Sequence, residues 1–451
     1  MTKHEKICII KGLFKNFRIK TGKKRKNICL KGFIIMKEKL KIGFVGFGRR
    51  GHGMLKTFAG YDDVEVVAVC DLEEKKQLEA VELVKSVAGN TPVHTGNYKD
   101  FLTMGLDAVI NCCSWADHSN IVIACLNAGI PIGFEVGGAY SLDECWEIVK
   151  TQERTGTPLM MLTNSRFTRP NMALVRMARD GFFGKIVHCD GGYCHYMTEN
   201  VVEQHFSLNY YRLINYMLRC SENYPVHAMG TIADILNINR GNKIVSLTST
   251  ASCSKGIHEY ILRTHGKDHC FADTQFAQGD IVTTTLKCAR GETITLRLDT
   301  TLPRPYSRCF SIHGTEGMFM EDGNLIYRRE EHAKVEEARE LYNNADKYIN
   351  ENLHPIWQEK PAEESIVGAN LMEAGHGGTD LLCTRCFIDS VKNGWPMVTD
   401  VYDAALFMAL TVLSEESILK GGAPVMVPDF TKGAFLKRKP LTSDDTPWSI
   451  T

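Results

Sequence analysis

The chain has 451 residues, too many for one ordinary domain and enough for two or three. Its 44% hydrophobic and 24% charged residues are the proportions of a soluble globular protein, and 53 basic side chains balance 53 acidic ones. That neutrality lacks the positive surplus that nucleic-acid or membrane-surface binding needs, and no apolar run reaches the ~18 residues of a membrane span.

Residues 1–38 are strongly basic, with two apolar pieces (7–10 and 32–36) shorter than the ~7 residues of a signal core. They read as a disordered arm, or as a stretch upstream of a start at Met36; with no signal segment, the chain reads as cytoplasmic. The 16 cysteines are scattered. Cys112 and Cys113 sit in an apolar run, and Cys383 and Cys386 form a C-x-x-C with no second pair at zinc spacing. Ordinary reduced thiols and no metal site are expected.

The first folded element is an apolar strand, Leu40–Val45. It runs into Gly46-Phe-Gly48-Arg-Arg-Gly51, then a helix at 53–59, then the strand Val64–Cys70 ending at Asp71. The context makes this G-x-G-x-x-G a dinucleotide turn. Its glycines permit the tight bend, close approach to a pyrophosphate and close helix packing, and the helix N-terminus faces the phosphates. Asp71 stands where an acid accepts from ribose hydroxyls, and it would repel a 2′-phosphate, so NAD is preferred to NADP. Arg49 and Arg50 either contact the phosphate and adenosine end or are solvated.

Strands at 106–112, 131–135 and 159–163 alternate with helices at 120–128 and Leu142–Thr155, which implies a parallel sheet with right-handed crossovers. Ligands of such sheets lie beyond the carboxyl ends of the strands. Trp115, His118, Glu135, Val136 and Asn164 follow strand ends and are candidates for the nicotinamide side.

From about residue 185 the pattern becomes β-rich: 186–193, Ile244–Ala251, 280–287, 292–300 and 310–314. Helices at 228–236 and 401–418 are expected to cover the sheet. The stretch 198–226 reads as loop-rich and aromatic (Tyr210, Tyr211, Arg212, Tyr216, Tyr224), a composition suited to the apolar C–H patches and hydroxyls of a sugar. Residues 328–364 are charged and read as solvated helix and loop. The expected fold is α/β: a Rossmann doubly wound parallel sheet over 39–165, an α+β domain with a large open mixed or antiparallel sheet over 166–430, and a tail at 431–451.

A Rossmann half followed by an open sheet resembles the Gfo/Idh/MocA oxidoreductases. Several blocks resemble one branch, the NAD-dependent glycosidases of glycoside hydrolase family 109, typified by α-N-acetylgalactosaminidase. They are GFGRRG (46–51), CSWADH (113–118), FEVGGA (134–139), CDGGYCH (189–195), NYPVHAMGTIADILNINRGN (223–242), DTTLPRPYS (299–307), HGGTD (376–380), DVYDAA (400–405) and PVMVPDF (424–430). Sugar dehydrogenases of the wider family usually carry Glu-Lys-Pro after the fifth strand, where the lysine moves the hydroxyl proton. Here the position reads Glu135-Val136-Gly137, and Val136 can do no acid–base work.

The resemblance implies that Gly46, Gly48, Gly51, Arg49, Arg50, Asp71, Trp115, His118, Glu135, Val136 and Asn164 line the NAD site. It implies that Tyr193, Arg212, Tyr224, Pro225, Val226, His227 and Tyr306 line the sugar site, with Val226 where the family usually has threonine. Hydrolysis of a glycoside usually takes two carboxylates; no such pair is placed here. The implied route oxidises C3 to a ketone, which acidifies the C2 proton; elimination, water addition and re-reduction follow, so NAD is recycled. His227 is the candidate base for the C3 hydroxyl, and Tyr224 and Tyr193 are candidates at C2, at the ketone or at the leaving group. Alternatives are an NAD-dependent sugar or inositol dehydrogenase and a catalytically silent NAD-binding regulator. The family's open sheet also implies a homodimer.

Overall fold

The computed structural model describes residues 39–208, 211–332, 342–358 and 376–450. The basic extension, Tyr210 and much of 328–364 lie outside them.

The first sheet is wholly parallel, with strand order β3-β2-β1-β4-β5-β6. Its strands are β1 (Leu40–Val45), β2 (Val64–Cys70), β3 (Val93–Thr95), β4 (Ala108–Asn111), β5 (Ile132–Phe134) and β6 (Leu159–Met161). Between them run α1 (Arg49–Ala59), α2 (Glu74–Ala88), α3 (Trp115–Asn127) and α4 (Leu142–Thr155). Local chemistry sets these bounds. β2 reads VEVVAVC, a β-branched run buried on both faces, as a parallel strand should be. α4 starts where the Ser141 side chain accepts from the Glu144 N–H and stops at Gly156, whose φ is 68°.

After α5 (Arg169–Arg179) comes a mixed sheet, ordered β14-β13-β12-β11-β7-β10-β9-β8-β15. It is built from β7 (Ile186–Cys194), β8 (Ile244–Ala251), β9 (Ile281–Cys288), β10 (Thr293–Asp299), β11 (Ser311–Gly314), β12 (Gly317–Met320), β13 (Leu325–Arg328), β14 (Asn343–Asn344) and β15 (Val425–Met426). Its neighbours are antiparallel except β7 and β10. The helices of this half are α6 (Thr198–Leu208), α7 (Arg212–Leu218), α8 (Val226–Leu236), α9 (Gly256–Thr264), α10 (Arg329–His332), α11 (Ala345–Glu351), α12 (Thr379–Asn393) and α13 (Val401–Leu419).

Both sheets share one apolar core, from Leu40 to Ile450. α8 lies on β7, while α13 lies on β8 and on α4. A capping box of Asp400 and Asp403 starts α13. Trp448 is fully buried, and its indole N–H donates to Asp389 of α12. No helix among the described residues is long and apolar enough to cross a membrane.

Two expectations fail. The stretch 198–226 is not loop-rich: it carries α6 and α7. Val201, Val202, Leu213 and Tyr216 build a second, smaller core with Ile257, Ile261, Val282 and Leu298. The polar aromatic composition hid that buried stripe. The helix expected at 120–128 begins at Trp115, so Trp115 and His118 occupy its first turn, buried. Asp117, Ser119 and Asn120 broke the apolar pattern there.

Candidate active site

Beyond the carboxyl ends of β1, β2, β4 and β5 opens a cavity of ≈ 760 Å3. Its lining runs from Gly46, Gly48, Arg49, Arg50 and Asp71 past Trp115, His118, Glu135, Val136 and Asn164 to Tyr193, Arg212, Tyr224 and His227. This is the size of an enclosed small-molecule site.

The turn 46–51 is built for close approach. Gly46 has φ 89°, and a Cβ on Gly51 would lie 2.0 Å from the Gly46 carbonyl oxygen. The space over Gly48 is open, with nothing within 4 Å of where its Cβ would be. α1 has no side-chain cap and no acid in its first turn. Its N-terminus is therefore left to an anion. Asp71 accepts from the Phe47 N–H at 2.8 Å and the Glu73 N–H at 3.0 Å, which ties the glycine turn to the end of β2. Asp71 also lines the cavity. These residues fit the pyrophosphate and ribose of a dinucleotide.

The two arginines of the turn differ. Arg49 is exposed and donates to Asn200 of α6. Arg50 is held by carboxylates: its Nε donates to Glu135 at 2.9 Å, and its Nη1 and Nη2 donate to Asp380 at 2.6 and 2.8 Å. Burial opposes its charge, but Glu135 and Asp380 outweigh burial and hold the guanidinium firmly protonated. Asp380 also accepts from Asn164 Nδ2 at 2.8 Å and bonds His376 Nδ1 at 2.6 Å. Asp380 thus joins β5, the end of β6, the glycine turn and α12. The HGGTD block (376–380) carries this residue, and the sequence alone gives it no role. An acid opening a helix four residues after a histidine was the available signal.

Trp115 Nε1 donates to the Val136 carbonyl at 3.1 Å. His118 Nε2 donates to the Cys113 carbonyl at 2.9 Å, and burial pushes its imidazole down to about 4, so it is neutral and braces the loop after β4. Gly137 and Gly138 take φ 86° and 98°, and a side chain on either would collide with Trp115 or His118.

The sugar-side candidates converge. Tyr193 closes β7, and its ring centre is 4.4 Å from Tyr224 and 5.4 Å from His227; Tyr224 and His227 are 4.9 Å apart. The Arg212 guanidinium lies 4.9 Å over the Tyr224 ring and 5.7 Å over Trp115. Tyr306, half exposed, stands edge-on at 6.4 Å from Tyr193 and accepts from Arg308. Pro225 caps α8 and Val226 is buried in the core; neither these two nor Tyr306 lines the cavity, and Tyr306 reaches the cluster only through its ring contact with Tyr193. Two further groups belong to the cluster: His195, whose Nδ1 is 3.4 Å from Tyr193 Oη, and His376, which lines the cavity.

His227 sits in the first turn of α8, and its Nδ1 is buried without a partner. Burial first, then the charges of Arg308, Arg50, His376 and Arg212, hold it well below the usual imidazole range. Burial, reinforced by Tyr193, raises the Tyr224 phenol well above its ordinary value against the pull of Arg212.

Glu222 fixes the turn into this cluster. Its Oε1 accepts from the Tyr224 N–H, its N–H donates to Ser414, and its buried Oε2 has no partner. Burial pushes its carboxyl up to about 8, against a weaker opposing bond from the Tyr224 N–H. The folded state therefore holds a proton that the unfolded chain releases near 4.5. Its stabilising contribution is complete below that pH and falls away as pH rises to about 8. Glu222→Gln is expected to flatten this loss, raising stability at pH 8 by a few kcal/mol relative to the parent. Thermal unfolding of both proteins from pH 5 to 9 checks it; parallel curves would refute it.

Comparison with known proteins places this geometry. Residues 167–437 match the family model described as "Glycosyl hydrolase 109, C-terminal domain". The chain is similar to an alpha-N-acetylgalactosaminidase of Tannerella forsythia, 36% identical over 89% of this chain and 88% of that protein. It is also similar to a glycosyl hydrolase family 109 protein of Stenotrophomonas maltophilia, 35% identical over 90% and 92%. In fold it is similar to the scyllo-inositol dehydrogenase of Lactobacillus casei with bound NAD(H) and scyllo-inositol, with TM-score 0.60 and 16% identity over 86% of this chain and 99% of that one. The myo-inositol 2-dehydrogenase of Lactobacillus plantarum gives TM-score 0.59 and 15% identity over 87% and 100%.

Proposed function

The chain belongs to glycosyl hydrolase family 109, and from that premise we propose a glycosidase that cleaves α-N-acetylgalactosaminides or related glycosides with NAD as a recycled cofactor. One observation carries the reading: a dinucleotide turn with its acid and a Tyr193–Tyr224–His227 cluster open into the same cavity. Val136 in place of a lysine supports it over a dehydrogenase.

The α1 N-terminus and the 46–51 turn hold the pyrophosphate, and Asp71 holds the adenosine ribose. Trp115, Glu135, Val136 and Asn164 line the nicotinamide end, with Arg50 and Asp380 fixing Glu135 and Asn164 from behind. When bound, NAD supplies a hydride acceptor and donor. His227, neutral at pH 7, takes the C3 hydroxyl proton on its imidazole. Tyr193, bonded to His195, moves the C2 proton through that pair. Tyr224, kept protonated by burial, donates from Oη to the developing oxyanion, while Arg212 holds its ring in place. Tyr306 flanks Tyr193 at the sugar end.

The test uses nitrophenyl α-N-acetylgalactosaminide in D2O with no added cofactor. Nitrophenol release, deuterium at C2 of the product sugar and no net NADH are expected. Nitrophenol release without C2 deuterium would sink the elimination route. NADH accumulation on free sugar with added NAD, without nitrophenol release, would point to a dehydrogenase.

A further inference from the structure

Behind the ring cluster, two free thiols face each other. The sulfurs of Cys194 and Cys309 are 3.6 Å apart. Local geometry puts them there. Cys194 ends β7 between Tyr193 and His195, so its side chain turns to the opposite face from theirs. Backbone bonds exchanged between Cys194 and Ser307 pin the two segments together. Cys309 then takes a left-handed φ of 48°, with its N–H donating to Ser307 Oγ at 2.8 Å, and this curls its thiol back over Cys194. Cys194 is buried and Cys309 is partly exposed, so only one of the pair meets solvent.

We propose that Cys194 and Cys309 are a redox modification site, closing to a reversible disulfide by exchange with a small-molecule disulfide of the glutathione type. The hydrogen bond shared with Cys194, opposed by burial and aided by the Ser307 hydroxyl and the Arg304 guanidinium, draws the Cys309 thiol below its ordinary value and favours its thiolate as the attacking group. The Cys309 thiolate attacks one sulfur of the reagent, forms a mixed disulfide and expels one thiolate. Cys194 gives its proton to that thiolate and attacks the Cys309 sulfur, expelling the second thiolate, which takes a proton from water. Two protein thiols are oxidised and one reagent disulfide is reduced to two thiols; a dithiol reverses the sequence.

The closed bond moves Tyr306, which packs edge-on against the cavity-lining Tyr193. Its sulfurs must approach to about 2.05 Å, which draws the 306–309 turn toward β7. Arg308 donates to Tyr306 Oη at 3.0 Å, and Tyr306 stands 5.2 Å from His195, so these contacts shift with the turn. This effect on turnover rests on the glycosidase reading; the bond itself does not.

The full chain is treated under native conditions with oxidised glutathione, acid-quenched, alkylated, digested and read by mass spectrometry. A cross-linked peptide pair joining Cys194 to Cys309 is expected, split by dithiothreitol and absent from Cys309→Ser. With it, kcat/KM on the nitrophenyl glycoside should fall several-fold, recover with dithiothreitol and stay constant in Cys309→Ser, whose untreated activity matches the parent. Equal alkylation of both cysteines before and after treatment, or a lasting glutathione adduct at Cys309, overturns the disulfide. A formed disulfide with unchanged kcat/KM overturns the coupling through Tyr306. A protein without glycosidase activity still yields the bond or fails to, which separates this result from the functional one.

Discussion

Replacing His227 by alanine is expected to lower kcat on the nitrophenyl glycoside by about 10²- to 10⁴-fold, the range for a positioned proton-transfer group. The ring is neutral for a reason built into its surroundings. It is desolvated, it faces the positive charges of Arg308, Arg50, His376 and Arg212, and it occupies the positive end of α8. Every one of these disfavours the imidazolium. The neutral ring can thus accept a proton at physiological pH. The same causes fix the pH profile: the acid limb of kcat/KM should lie well below the ordinary imidazole value of 6.5. Cofactor retention should survive, because the 46–51 turn and Asp71 carry it from β1 and β2. A variant within tenfold of the parent would remove His227 from the chemistry.

Replacing Asp380 by alanine is expected to cost about 3 kcal/mol of stability and to strip the protein of its cofactor. Removing one partner of a buried ion pair costs about 3–5 kcal/mol; the lower end applies because the Arg50 side chain is 31% exposed and keeps Glu135. Asn164 and His376 also lose their shared acceptor. Burial alone would raise the Asp380 carboxyl, but the bonds and charges of Arg50 and His376 overcome it and hold the group below the carboxylate range. Its contribution is therefore present above the unfolded value of 3.8 and lost as pH falls through the lower folded value. The Tm difference between parent and variant should be constant from pH 6 to 8 and narrow below about pH 4. A constant gap at all pH values would refute the electrostatic account. Bound NAD, measured after release from the purified proteins, reports the second effect.

The two kinds of information differed in what they made legible. β1, β2 and α4 follow residue for residue from β-branched runs, serine caps and terminal glycines, because those signals act within a few positions. Asp71 and the glycine turn were equally local. The composition of 198–226 pointed to Arg212 and Tyr224, but only resemblance to a family joined Tyr193, His227 and Tyr306 to them; the rings meet within 7 Å. Asp380 escaped because its meaning lies in partners up to 330 residues away. Local sequence does not show that Arg50, which lines the cavity, is also ion-paired to Glu135 and Asp380. α6 and α7 escaped because their apolar stripe packs on β9, β10 and α9 rather than on the main core.

The 330-residue span between Arg50 and Asp380 also orders events in time. During synthesis the amino-terminal parallel sheet can form early, since its pairings are close in sequence, but Arg50 and Asn164 must wait for Asp380 of α12 to emerge. For most of translation Arg50 then has Glu135 but lacks its two-bonded partner Asp380. Under the proposed function, cofactor loading is then expected late in maturation, and a nascent chain stalled before residue 380 should not retain NAD.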